Sequence, residues 1–468
     1  MSDINQNQDV MNAFLSRMHN ILTAPDTANE TQSNDSYVSF TKIGIPVTEK
    51  FLTFNDLTTK SEVNNQAGFA NIVNEVPESR GFFVIKGVKI SNVYRQVITQ
   101  AQVAERELSE REKDMLQKAQ DYLQVEAIDK NPFTGEEKKT IQPSPAVISY
   151  GKHRVLYINA LLAYNNAAIG ANEKSATQQD IENFTRNGVI LRNNALIAYQ
   201  TWEGEGSKGY VEQARSILGQ YASSGIHERF TKLKADMDLS ERQSNLFGPY
   251  ENTLFFPHDA FVDPSKTPTF TTFKFSESKV DEYKHNDSTN YGGGVNSGFF
   301  LFNCSATVNG EKKNMSAEVD TSNFSMSVDL LQLPILRPWF DASIFQSRAW
   351  KWTDQISDGK EPRSGMMPVY ATSVILAKNL KIKLNMSSEK NKAAFSKIET
   401  STSASYGPFA IKGSYSHEEG DSSFNSKVSD DGIEADGLQI IGFICYKVPL
   451  SPNPDPSLDW PDKQPLSA

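Results

Sequence analysis

Hydrophobic and polar positions recur along this chain with two different periods, and the changes of period divide it. In residues 1–24, Val10, Met11, Phe14, Leu15, Met18, Ile21 and Leu22 fall on one side of a helix that Pro25 ends. The polar stretch to Ser36 has the composition of a linker, so residues 1–36 read as an amphipathic arm. An isolated helix of this length is marginal in water, and it is expected to dock on its own body or on a neighbouring subunit. Residues 37–92 hold strand-like runs, Tyr37–Ile45 and Gly81–Ile90, and read as a small β element.

From Val93 the period becomes helical. Val93 to about Val125 reads as one long helix, His153–Ile169 as another, and the pattern returns over Gln178–Trp202 and Lys208–Asp238. Residues 93–246 thus form an elongated helical region, interrupted by the turn signal NPFTG at 131–135 and by prolines at 143 and 145. The runs INALLAYNNAAIGAN and LRNNALIAYQTW mix Ala with Asn, which predicts close helix packing with amide hydrogen bonds across the seam. Prolines at 249, 257 and 264 then mark a linker-like zone.

Beyond it the period is two. Phe324, Met326, Val328 and Leu330 alternate with Ser325, Ser327 and Asp329; Leu380, Ile382, Leu384 and Met386 alternate with Lys381, Lys383 and Asn385. The glycine-rich stretch at 291–298 reads as a connection between strands. Seven or eight strands across 268–448 predict a two-layer antiparallel β-sandwich, the domain being bounded at 247–448 and followed by an extended Pro-rich tail at 449–468. The expected fold class is α+β, with the helical region inserted between the small N-terminal β element and the C-terminal sandwich.

The stretch Leu333–Phe345 stands at the centre of this arrangement. Pro334 and Pro338 oppose a continuous strand, so a turn is expected there. Trp339, Phe340, Ile344, Phe345, Trp350 and Trp352 then need a surface to bury against, and the downstream strands are the nearest. A sharper reading makes them an exposed wedge for a partner. The candidate interaction residues are accordingly Phe14, Leu15 and Met18 on the arm, with Trp339, Phe340, Phe345, Trp350 and Trp352.

Four runs in the C-terminal third carry a resemblance: LRPWFDASIF at 336–345, MMPVYATSVILAKNLKI at 366–382, SYGPFAIKGSY at 405–415 and GLQIIGFICYKVPLSP at 437–452. Together they resemble an uncharacterised protein family of fungi and bacteria. No activity is established for that family, so the resemblance implies a shared β-rich fold and no catalytic residue.

Charge and chemistry narrow the function further. The chain carries a formal charge of −10 with no basic stripe, which argues against a nucleic-acid partner. Neither a secretory signal nor an 18-residue apolar run is present, so the expectation is a cytoplasmic protein, released by lysis or a non-Sec route. Cys304 and Cys445 sit alone in apolar runs and read as small buried hydrophobes. His258, Asp259 and Asp263, with His285 and Asp287, lack the spacing of a metal site. The acidic stretch 429–437 fails the calcium-loop pattern and reads as a hairpin, and EGEGSKG at 203–209 fails the phosphate-loop pattern. No catalytic, cofactor or metal residue is assigned, and no enzyme is expected. The leading expectation is a self-associating structural or scaffold protein, a homo-oligomer whose terminal arms reach neighbouring subunits. The competing one is a membrane-active, pore-forming-like toxin with a β target-binding domain and a helical insertion region, under which a membrane is also a partner.

Overall fold

The computed structural model describes residues 2–22, 36–54, 57, 59–77, 82–83, 87–104, 110–130, 135, 137–172, 177–220, 226–257, 260–262, 270–277, 280, 302–308, 311–385, 387–414, 423–429, 432–458 and 460. The fold is α+β, with helices in the middle of the chain and antiparallel strands towards its C-terminal end. The chain begins with α1 (Ser2–Leu22), β1 (Ser36–Pro46), α2 (Lys60–Val73), β2 (Phe82–Phe83), α3 (Ile90–Gln100), β3 (Gln102–Val103) and α4 (Glu110–Leu123). A hairpin of β4 (Gln124–Lys130) and β5 (Glu137–Pro143) leads into α5 (Pro145–Asn172), α6 (Gln178–Gly204), α7 (Lys208–Gln220) and α8 (Ile226–Leu239). Then come β6 (Glu241–Ser244), β7 (Gly248–Glu251), β8 (Leu254–Phe255), β9 (Thr271–Ser276), β10 (Phe302–Val308), β11 (Glu311–Ala317), β12 (Ser325–Leu336), β13 (Trp350–Lys351) and β14 (Val369–Lys383). Helix α9 (Glu389–Thr400) precedes β15 (Ser403–Tyr406), β16 (Phe409–Ser414), β17 (Ser423–Phe424), β18 (Lys427–Ser429), β19 (Gly432–Ala435) and β20 (Gln439–Lys447).

The long strand β14 is the axis of the larger sheet. β12 pairs along one edge of it, with β9 and β8 beyond; β20 and β19 pair along the other, followed by β1 and β18 respectively. The expected alternation is present: Leu380, Ile382 and Leu384 are buried while Lys381 and Lys383 are exposed. A second, five-stranded sheet runs β11-β10-β15-β16-β17. The Gln439 side chain on β20 clamps the two sheets, accepting from the Ala410 amide (2.8 Å) and donating to the Ala410 carbonyl (3.1 Å). A Cβ at Gly44 would lie 2.0 Å from that same Gln439 oxygen, so the close approach needs glycine there.

Three sequence expectations change in the fold. The N-terminal β run is not a separate small element: β1 pairs antiparallel with β20, and β2 joins it in parallel. The helix expected over 93–125 is two helices, because the backbone leaves α3 to pair β3 with β13, and the Ala104 amide donates to the Ala349 carbonyl. The strand β12 also runs straight through Pro334, which needs no N–H partner where β12 passes from β9 to β8; its carbonyl accepts from the Phe256 amide. The stretch 429–437 does form the expected hairpin, β18 to β19, with Ser429 opposite Gly432. Both cysteines are free and buried. The 291–298 stretch and His258, Asp259, Asp263, His285 and Asp287 lie outside the described residues.

Candidate functional site

The sequence-derived interaction residues are spent inside the protein. Phe14, Leu15 and Met18 are fully buried, and the Phe14 ring meets Phe273 and Phe275 of the larger sheet and Phe409 of the smaller one at 5.4, 5.5 and 5.8 Å. The arm thus docks on its own body, as a wedge touching both sheets. Trp339, Phe345 and Trp350 are also buried, while Phe340 and Trp352 are half-buried beside them. They pack between upstream helices and a downstream strand: Tyr94 of α3 lies 5.9 Å from Trp339 and 5.0 Å from Phe340, Phe230 of α8 lies 6.3 Å from Trp350, and Tyr370 of β14 lies 4.9 Å from Phe340. The indole N–H groups of Trp339 and Trp350 donate to the carbonyls of Asn252 and Ile344. None of the five forms an exposed wedge.

What this packing leaves open is a cleft of about 700 Å³ between helices α4, α5, α7 and α8 on one side and β12, β14, β20 and the segment after β12 on the other. Its volume is in the range of small-molecule sites, and domain junctions are where such sites commonly form. A smaller cavity of about 350 Å³ shares Gln346 and Tyr446 with it and is lined by Arg348, Arg363 and Lys447.

The charged side chains facing the cleft divide into those that are engaged and those that are not. Arg337 is engaged: its Nε donates to Asn74 and its two Nη atoms to the Ala371 and Val73 carbonyls, and burial pushes its pKa down to about 10. Asp341 is engaged by Arg229, whose Nη2 lies 2.6 Å away and also reaches the Ser343 hydroxyl, while Nη1 donates to the Leu218 carbonyl. Against the burial that would raise it, Arg229 and Ser343 hold the Asp341 carboxyl below its ordinary value. Glu212 accepts from the Tyr150 hydroxyl (3.3 Å) and Lys208 (3.0 Å).

Three cations have weaker local ties. The Arg215 guanidinium stacks over the Tyr150 ring at 5.0 Å, Arg154 makes a long contact of 3.4 Å to the Ser373 hydroxyl, and Lys232 donates to the neutral Gln120 amide. Burial raises the Tyr150 hydroxyl above its ordinary value, and the charges of Arg215 and Arg154 oppose that shift. The remaining carboxylate is Asp236, buried on α8. Desolvation pushes it up to about 6, opposed by Lys232 and reinforced by the negative charges of Asp341 and Glu126. With Arg229–Asp341 and Lys208–Glu212 paired, the cleft presents Arg154, Arg215 and Lys232 against the raised carboxyl of Asp236, in a protein whose net charge is −10.

Sequence spacing did not mark these residues, because they come from α5, α7 and α8 and meet only in the fold. The 203–209 run is likewise local packing: Lys208 opens α7, pairs with Glu212 and lies 5.2 Å from the Trp202 ring. Among the described residues, no group of three or more His, Cys, Asp or Glu is placed to hold a metal ion, and no helix is long and apolar enough to cross a membrane. No family model, curated protein or solved structure matches the chain.

Proposed function

We propose that the protein works by binding, and that its ligand is a small anion carrying carboxylate or phosphate groups, taken into the cleft between the helical layer and the larger sheet. The observation that carries this reading is the charge balance: Arg154, Arg215 and Lys232 face the cleft without a carboxylate pairing them directly. Guanidinium groups present paired N–H donors matched to carboxylate and phosphate oxygens, and Tyr150 and Phe340 line the same cleft. The second cavity adds nothing to this balance, because its Arg348 is paired with Asp455 and its Arg363 and Lys447 with Glu361.

The test is isothermal titration of the purified full chain with inorganic phosphate, pyrophosphate and citrate at low salt. Saturable binding is expected for at least one of them. It should weaken tenfold or more in the Arg154→Ala/Arg215→Ala double variant, since a charge-assisted hydrogen bond is worth about 1.5–3 kcal/mol. Failure of all three anions to bind, or binding that the double variant leaves unchanged, would overturn the assignment. The self-association reading is supported by a different surface, the exposed apolar face of α6.

A further inference from the structure

Helix α6 has two faces with opposite fates. Phe184, Gly188, Leu191, Ala195, Tyr199 and Trp202 recur at helical spacing and turn inward, where Tyr199 and Trp202 meet Tyr157 of α5. Roughly half a turn round lie Val189, Ile190, Leu196 and Ile197, which are 67%, 56%, 53% and 58% exposed. The other large exposed hydrophobics among the described residues are spread over separate elements or stand singly, whereas these four are two adjacent doublets seven residues apart on one helix face. Single exposed apolar side chains are ordinary; four on one helix face, two on either flank of the exposed Asn193, make a contact surface.

The ridge is symmetric about Asn193. Val189 and Ile197 stand four residues to either side of it, Ile190 and Leu196 three, and Asn193 lies exposed at the centre of the face. A two-fold axis through Asn193, perpendicular to the helix, would place Val189 against Ile197 and Ile190 against Leu196 of an antiparallel copy. It would also bring the two Asn193 amides together and set Arg186 opposite Gln200. A two-fold interface requires a patch complementary to itself, and this sequence meets that requirement. A paired Asn at the centre of an apolar helix seam is also a device that fixes register.

We propose that this face of α6 is the docking surface for a second copy of the chain, forming a two-fold dimer whose axis passes through Asn193. The proposal is independent of the cleft and of its ligand.

Sedimentation velocity of the full chain across a concentration series tests it together with two variants. The wild type should reach the dimer mass at micromolar concentration. Leu196→Asp/Ile197→Asp should raise the dissociation constant at least tenfold while leaving the circular dichroism unchanged, and the melting temperature unchanged at concentrations where the wild type is itself monomeric, because both side chains are exposed in the single copy. Asn193→Cys should give a covalent dimer on mild oxidation. Thr185→Cys, on the same helix but eight residues from the axis, should not, and the two native thiols are buried. A monomer at every concentration overturns the proposal, as does a dimer that ignores the Asp pair or that the Asn193→Cys variant fails to cross-link. Binding of a monomeric protein to phosphatidylcholine–phosphatidylglycerol vesicles, abolished by the Asp pair, would also overturn it by giving the face to lipid.

Discussion

The two-sheet body and the helical layer beside it use their polar groups in opposite ways. In the body, buried polar side chains serve to hold strands together: Gln439 joins the sheets through Ala410, Thr41 donates to the Ile441 carbonyl, and Arg337 spends its donors on the ends of α2 and β14. Its apolar residues form continuous clusters on both faces of the larger sheet, with α1 on one and α2 on the other. In the helical layer, cations face a cleft with weak partners, a carboxylate is buried near neutrality, and one helix turns an apolar ridge to solvent. The Gln439, Thr41 and Arg337 side chains are paired in place; the cations of the cleft stand where the helices meet the sheet. On the proposed reading, the contrast puts binding in the layer and stability in the body.

The largest expected break in that contrast is Phe14→Ala. Its ring touches both sheets, so truncation leaves a cavity where the arm joins them and should cost about 3–5 kcal/mol, read as a fall in the urea midpoint. Val189→Ala on the exposed ridge should change stability by less than about 0.5 kcal/mol. Equal effects would sink the division. It follows that removing residues 1–30 exposes the core as well as any intersubunit contact, so a lost assembly in that deletion could not be assigned to the arm.

The strands and the amphipathic arm were legible in the sequence because their signals are local. Period two marked β12 and the end of β14, and the spacing of Phe14, Leu15 and Met18 marked one helix face. Pairings across the whole chain were not legible: β1 sits beside β20 through contacts some four hundred residues apart, and no spacing rule encodes them. The cleft was hidden for the same reason, since Arg154, Arg215, Lys232 and Asp236 are ordinary helix-surface residues until α5, α7 and α8 are packed. The Ala- and Asn-rich runs gave half an answer. Helices α5 and α6 do pack along one another, but aromatic contacts hold the seam, and the expected amide bonds do not form at Asn159 Oδ1 or at the Asn166 side-chain amide. The doublets in VILRNNALI carried a usable signal, because one helix face cannot hold Gly188 and Ala195 together with Ile190 and Ile197.

A pH titration sharpens the comparison from the side of the body. His19 of α1 is buried and accepts from the Val38 amide through Nδ1 (3.3 Å), and burial, then Lys447, lower its pKa from 6.5 to about 4. A depressed histidine contributes stability above its unfolded pKa that is lost as pH falls through the folded one, so the window runs from 6.5 down to 4. Across it the wild type should lose at most roughly 3 kcal/mol through this group. His19→Gln, which keeps an acceptor and cannot titrate, should show that much less loss between about pH 7 and 4 in urea unfolding. Parallel curves for the two proteins would mean that His19 does not tie α1 to β1.

Asp236 should respond with the opposite sign. Its folded pKa is raised from 3.8 to about 6, chiefly by burial, so its favourable contribution is complete below 3.8 and lost as pH rises through 6. At pH 7.5 the charged form therefore opposes folding, and Asp236→Asn should stabilise the protein by roughly 2 kcal/mol, a gain that fades as pH approaches 4. The same charge opposes an anion in the cleft. Anion affinity in the wild type should accordingly rise as pH is lowered from 7.5 to 5.5, while Asp236→Asn binds as tightly at pH 7.5 as the wild type does at 5.5. Lys232 bears on how far this goes, since its charge opposes the upward shift of the Asp236 carboxyl. A variant stabilised at pH 7.5 with unaltered anion binding would leave Asp236 as a strained part of the α8 packing and place the ligand nearer Arg154 and Arg215. A variant altered in both would put the carboxylate in the site itself.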